Sequence, residues 1–103
     1  MSRLEQLRKL LAIAPNDPMS HYGLGLEYIN LEQWDDAAEA FAKAIEVDSK
    51  YSAAYYHRAR AQIHAGKSDA ARETLNAGIA VAKSAGDWHT QGEMQQLLDS
   101  IEP

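Results

Sequence analysis

Apolar residues recur at three- and four-residue intervals along nearly the whole chain, the spacing of amphipathic helices. WDDAAEAFAKAIEV, Trp34 to Val47, is the clearest case, with Ala37, Phe41 and Ala44 on one side and Glu39 and Lys43 turned away from them. β-branched residues are too sparse and too scattered for strands. Breaks fall at Pro15-Asn16-Asp17-Pro18, at Leu31 to Gln33, at Asp48-Ser49-Lys50, at Gly66-Lys67-Ser68 and at Ser84-Ala85-Gly86-Asp87. They predict about six helices of roughly 11 to 15 residues each. Asp17 suits the cap of the second helix, with Pro18 in its first turn, where a missing N–H is no loss. Ser68 is predicted to cap the fifth, with Asp69 near its positive end. Gly66 suits a left-handed residue ending the fourth. Glu32 stands at the corresponding place of the earlier unit, so that turn is expected to be either differently shaped or slightly strained.

The pattern repeats. SDAARETLNAGIAV, Ser68 to Val81, begins 34 residues after Trp34. Aligning Pro18 to Tyr51 with Ser52 to Ala85 pairs Tyr22 with Tyr56, Ile29 with Ile63, Asp35 with Asp69, Ala37 with Ala71, Glu39 with Glu73, Ile45 with Ile79 and Val47 with Val81, without a gap. A further step back sets Leu7, Leu11 and Ile13 under Phe41, Ile45 and Val47. The first helix therefore has the character of the second half of a unit. A fixed period of this length is the mark of a helical repeat array.

A gapless 34-residue helix-turn-helix period resembles the tetratricopeptide repeat, and the residue types agree. The first unit has Leu24, Gly25, Tyr28, Ala37, Phe41 and Ala44 at the family's positions, with Trp34 opening its second helix, His21 in place of the leading aromatic and Ser49 in place of the closing Pro. The second is looser, with Tyr55, Ala59, Ala71, Leu75 and Gly78, while Leu7, Leu10 and Pro15 fit a leading half-unit. The resemblance implies an all-α fold, a right-handed superhelix of six antiparallel helices. Its expected parts are a half-repeat helix over 1–17, repeats over 18–51 and 52–85, and a capping helix over 86–103 whose stripe is Trp88, Met94, Leu97, Leu98 and Ile101. Gly25, Ala37, Ala44, Ala59 and Ala71 are expected where helices approach closely, and Glu5, Glu39 and Glu73 form an outer, solvated row.

Charge narrows the partners. A formal net charge of -5 with ten basic residues scattered among fifteen acidic ones argues against nucleic acid, which needs clustered Lys and Arg. No run approaches the roughly 20 apolar residues that span a membrane, and Leu10 to Ala14 is too short for a secretory core of about 7 to 15. The absence of Cys excludes disulfides and thiolate sites and suits a reducing compartment, so the expected location is the cytoplasm. No phosphate loop, nucleophile elbow or isolated carboxylate pair is present, and no cofactor or metal is expected.

The resemblance assigns ligand binding to the concave face, lined by the first helix of each pair. The residues expected there are Met19, Tyr22, Leu26, Ile29 and Asn30 from the first unit and Ala53, Tyr56, His57, Arg60, Ile63 and His64 from the second, with Met94 or Leu97 completing the wall. Tyr22 and Tyr56 offer apolar area and a hydroxyl at low entropic cost, unless they simply pack on one another. Arg60 could orient a partner's carboxylate, unless it pairs with Glu27. Family members that grip the C-terminal carboxylates of heat-shock chaperones use several Lys, Arg and Asn residues there; this chain offers Arg60 and Asn30. The expected function is a non-catalytic scaffold module that binds a protein or peptide in its groove. A homodimer whose groove is covered by a second copy is the alternative, and a small enzyme using His57, Arg60 and Tyr56 the remote one.

Overall fold

The computed structural model describes residues 2–101; residues 1, 102 and 103, at the edges of the expected half-repeat and capping segments, lie outside them. It consists of α1 (Arg3–Ile13), α2 (Pro18–Asn30), α3 (Trp34–Val47), α4 (Ser52–His64), α5 (Ser68–Ala85) and α6 (Trp88–Ile101), with no strand among the described residues. Each helix packs on the next in sequence, α4 also touches α2 and α6, and the result is an elongated body of 42 × 28 × 18 Å. The inner face is thus built from α2, α4 and α6.

The helix ends follow from local chemistry. Asp17 accepts the Met19 N–H at 3.2 Å and the Ser20 hydroxyl at 2.6 Å. These bonds, the Ser20 one foremost, hold its carboxyl below the usual range. The turns after α2 and α4 have one shape: Gln33 N–H reaches the Tyr28 carbonyl at 2.9 Å, and Lys67 N–H reaches that of Gln62 at 2.8 Å, the six-to-one bond of a Schellman ending. Gly66 supplies the left-handed residue at φ 79° in one, and Glu32 is forced to φ 58° in the other. The turn is therefore strained rather than differently built. Ser68 does not cap α5: closure of the turn on Gln62 makes Lys67 the N-cap, without a side-chain bond, and leaves Ser68 as the first helical residue. At 18 residues α5 also outruns the expected length. Ala82-Lys83-Ser84-Ala85 continues the helix where the first unit has Asp48-Ser49-Lys50-Tyr51, and Gly86 ends it at φ 72°.

Small residues set the packing distances, as expected. Ala37, Ala44, Ala59 and Ala71 are fully buried, and a Cβ on Gly25 would lie 2.6 Å from the Phe41 ring. Phe41 and Leu75 fill the two core clusters, one around Tyr28 and Ala54, the other around Tyr55, Ala59 and Met94. In the second unit the closest approach shifts to Gly78, where a Cβ would meet Met94 Sδ at 2.5 Å and Tyr55 Cβ at 2.6 Å. Met94, Leu97, Leu98 and Ile101 cover the second cluster. Trp88 does not join them and is 67% exposed. It lies six residues before Met94, which carries it more than about 100° round the helix. Glu5, Glu39 and Glu73 are exposed, as expected of an outer row.

Candidate partner-binding groove

Beneath the inner face, the fully buried Phe41 of α3 is bordered by two rings, Tyr22 edge-on at 5.6 Å and His57 stacked at 5.7 Å. Tyr22 stacks on Tyr51 at 5.0 Å and meets the His57 edge at 5.6 Å, and Tyr56 meets the other side of His57 at 5.1 Å. The two tyrosines are therefore bridged by an imidazole rather than packed on one another. Tyr51, from the α3–α4 loop, was not expected here; it closes the first unit, at a place where the repeat pattern asks for no aromatic. Burial is the main reason that the Tyr22 hydroxyl titrates above its usual value, and the neighbouring Tyr51 adds to it.

His57 is the residue whose role changes most. Burial first, and the adjacent Arg60 second, lower its pKa from 6.5 to about 4. The ring is neutral above that, and Arg60 Nη1 donates to His57 Nδ1 at 3.3 Å. A general base works best poised near the operating pH, so this geometry gives no support to an enzyme built on His57 and Arg60. Arg60 also lies over the Tyr56 ring, 5.8 Å from Cζ to centroid. No ion pair joins it to Glu27 or to any other carboxylate among the described residues. The His57 bond on one side and the Tyr56 face on the other limit where the guanidinium can lie.

Beside Tyr56 a cavity of about 270 Å³ opens between α4 and α6, lined by Tyr56, Glu93, Gln96, Leu97 and Ser100. Leu97 thus contributes to the wall, whereas Met94 is fully buried in the core. Glu93, Gln96 and Ser100 were missed because they lie off the apolar stripe; the available signal was that Glu93 and Ser100 stand one turn before and after Leu97, with Gln96 next to it. The remaining expected residues spread outward. Met19 is 71% exposed at the start of α2, Leu26 packs on the first core, and Asn30 is exposed at the end of α2. His64 stacks on Trp34 of α3 at 4.2 Å and 14°, which ties it to the junction between units. His57 and His64 do not converge, and no cluster of three metal-ligating side chains occurs among the described residues.

Paired helices in a constant frame, with an inner face of aromatic and charged side chains, define a helical repeat scaffold. Comparison with known proteins places it further. The family model described as tetratricopeptide repeat matches residues 28–90. A TPR repeat-containing protein of Pseudomonas aeruginosa is 31% identical over 99 residues, which covers 96% of this chain and 94% of that one. The chain belongs to the tetratricopeptide repeat family. A solution structure of protein BPP2914 from Bordetella parapertussis superposes with a TM-score of 0.84 at 28% identity, covering 98% of this chain and 88% of that one. The TPR2B domain of yeast Sti1, solved as a complex with pHsp70, gives 0.89 at 24% identity, covering 95% and 78%. The fold is that of a protein-interaction scaffold, and no helix of the described residues is long and apolar enough to cross a membrane.

Proposed function

We propose that the chain binds a peptide or a partner helix along its inner face, with the Tyr56, Arg60 and Leu97 region as the centre of contact. The observation that carries this reading is Arg60: its guanidinium is held by His57 and by Tyr56, which lines the cavity together with Leu97, Glu93, Gln96 and Ser100, and no carboxylate among the described residues pairs with it. Such an arrangement suits a ligand with one apolar side chain for the cavity and one carboxylate for the Arg, which would bind it as a charge-assisted hydrogen bond. Met19, Leu26 and Asn30 extend the same face, while Tyr22 and His57 support it from below. The Sti1 complex offers a precedent for the fold. This chain has fewer cationic side chains on the face than a site built for several carboxylates would use.

An array of immobilised peptides, each made with a free C-terminal carboxylate and again with an amide, tests this. Binding should favour the acid form and fall at least about tenfold in Arg60→Ala, the cost of about 1.4 kcal/mol from one charged contact. Tyr56→Ala should weaken binding to both forms, with melting temperature recorded to separate lost contact from lost folding. If no peptide distinguished the parent chain from a Tyr56→Ala, Arg60→Ala double variant, the groove would not be the binding site.

A further inference from the structure

The 34-residue frame makes α1 the second helix of a pair and α6 the first helix of one. Each keeps one face that no described helix covers. In α3 the face turned to α2 carries Ala37, Ala40, Ala44 and Val47, of which the three alanines are buried. Stepping back by one period, the same face of α1 carries Arg3, Gln6, Leu10 and Ile13. All four are exposed, Leu10 by 53% and Ile13 by 83%. At the other end, the α6 equivalents of the buried Tyr28 and Gln62 and of the half-buried Leu24 and Arg58 are Gln96 and Gly92, both exposed. A Cβ on Gly92 would meet nothing within 4 Å, and Trp88 stands exposed one turn before it.

The two ends also differ in charge. The helix α1 has Arg3, Arg8 and Lys9 against Glu5 alone, whereas α6 and its cap have Asp87, Glu93 and Asp99 with no Lys or Arg. Two α1 faces brought together would repel, and so would two α6 faces. Unlike ends attract. We infer that the open face of α1 docks on α6 of a second copy, so that Leu10 and Ile13 seat beside Trp88 and over Gly92, and the two chains between them complete one helical pair. The contact is head to tail, does not close on itself, and adds copies in a row. Gln96 borders both this face and the groove cavity, so the variants that test the contact are placed at positions 10, 13, 92 and 99, none of which lines the groove.

Complementary end variants test this on the full chain, by sedimentation equilibrium at low salt up to concentrations on the order of 10⁻⁴ M. The parent chain should show a mass rising from 11.4 kDa and continuing beyond two copies. Salt at about 0.5 M should weaken the association roughly tenfold. A chain with Leu10→Glu and Ile13→Glu, and another with Gly92→Arg and Asp99→Arg, should each stay monomeric and folded, as circular dichroism reads it, because all four positions are exposed. Mixed, the two should form a one-to-one dimer that grows no further, since one intact end remains on each. A strictly monomeric parent chain overturns the inference. So does self-association of either variant alone, which marks a symmetric contact between like ends, or a mixture that fails to pair.

Discussion

The two full repeats solve one backbone problem with different fillings. In the first, Gly25 leaves room for the Phe41 ring inside its own pair, and Tyr28 reaches across to accept a hydrogen bond from Arg8 at 2.8 Å. In the second, Ala59 stands at the position of Gly25, Leu75 at that of Phe41, and Gln62 at that of Tyr28. Gln62 is buried and accepts from the Thr74 hydroxyl of α5 at 2.8 Å, a bond within its own pair in place of one to the preceding helix. The glycine reappears at 78, where it admits Met94 of α6 instead. The lesson is that the frame fixes where helices run, while the place of closest approach is free to move. Each unit keeps its large core side chain opposite a small residue, so exchange between units has to be made in pairs.

Four measurements bear on that contrast. Phe41→Ala removes the largest fully buried ring and should cost about 3 to 5 kcal/mol, enough to unfold much of a chain of this size, as read by circular dichroism. Leu75→Phe, which imposes the first unit's filling on the second, should cost about 1 to 3 kcal/mol, because the Ala59 methyl occupies the space that Gly25 leaves open. Adding Ala59→Gly should recover part of that loss, and a double-mutant cycle with no coupling would break the comparison.

The seam between units is the third target. The pKa of His57 is lowered on folding, so between pH 6.5 and about 4 the unfolded chain binds more protons than the folded one. Stability should therefore be full above pH 6.5 and fall by about 1 to 2 kcal/mol as pH drops toward 4, after allowance for solvent screening of a partly exposed ring. His57→Phe should flatten urea-derived stability across that window. Asp87 accepts the Thr90 N–H at 3.2 Å at the start of α6, as Asp17 accepts that of Met19 in α2, and loss of both bonds belongs to lower pH, since both carboxyls are held below their usual value. The smallest effect compares the turns. Glu32→Gly should stabilise by up to about 1 kcal/mol and Gly66→Ala should destabilise by a similar amount, since both positions are left-handed.

Much of this was legible beforehand. The period and the six helices follow from spacing, and the small residues at close approaches and the outer glutamates from the resemblance that the period carries, because each reports on one helix at a time. The failures share a cause: they depend on what a neighbouring helix presents. His57 shares a helical face with Arg60 and so reads as a groove residue, yet Phe41 and Tyr22 enclose it. Trp88 reads as core by hydrophobicity and is not, since its angle on α6 points away from α5. Ser68 has the chemistry of a cap, but backbone closure one residue earlier takes that place. For the groove, the resemblance pointed to Tyr56 and Arg60, which lie against one another, and gave no sign of Tyr51, Glu93, Gln96 and Ser100, which enter from a loop and from the margin of α6.

The seating of Met94 in the Gly78 slot has a chemical corollary. Its thioether is fully buried, whereas that of Met19 is 71% open to water, so dilute peroxide should convert Met19 to the sulfoxide long before Met94. A sulfoxide at 94 is too polar and too bulky to return to a slot with no room for a methyl. Each oxidation there would be a one-way record that α6 had lifted off, and the rate at which the second sulfoxide accumulates would time that opening without any added label.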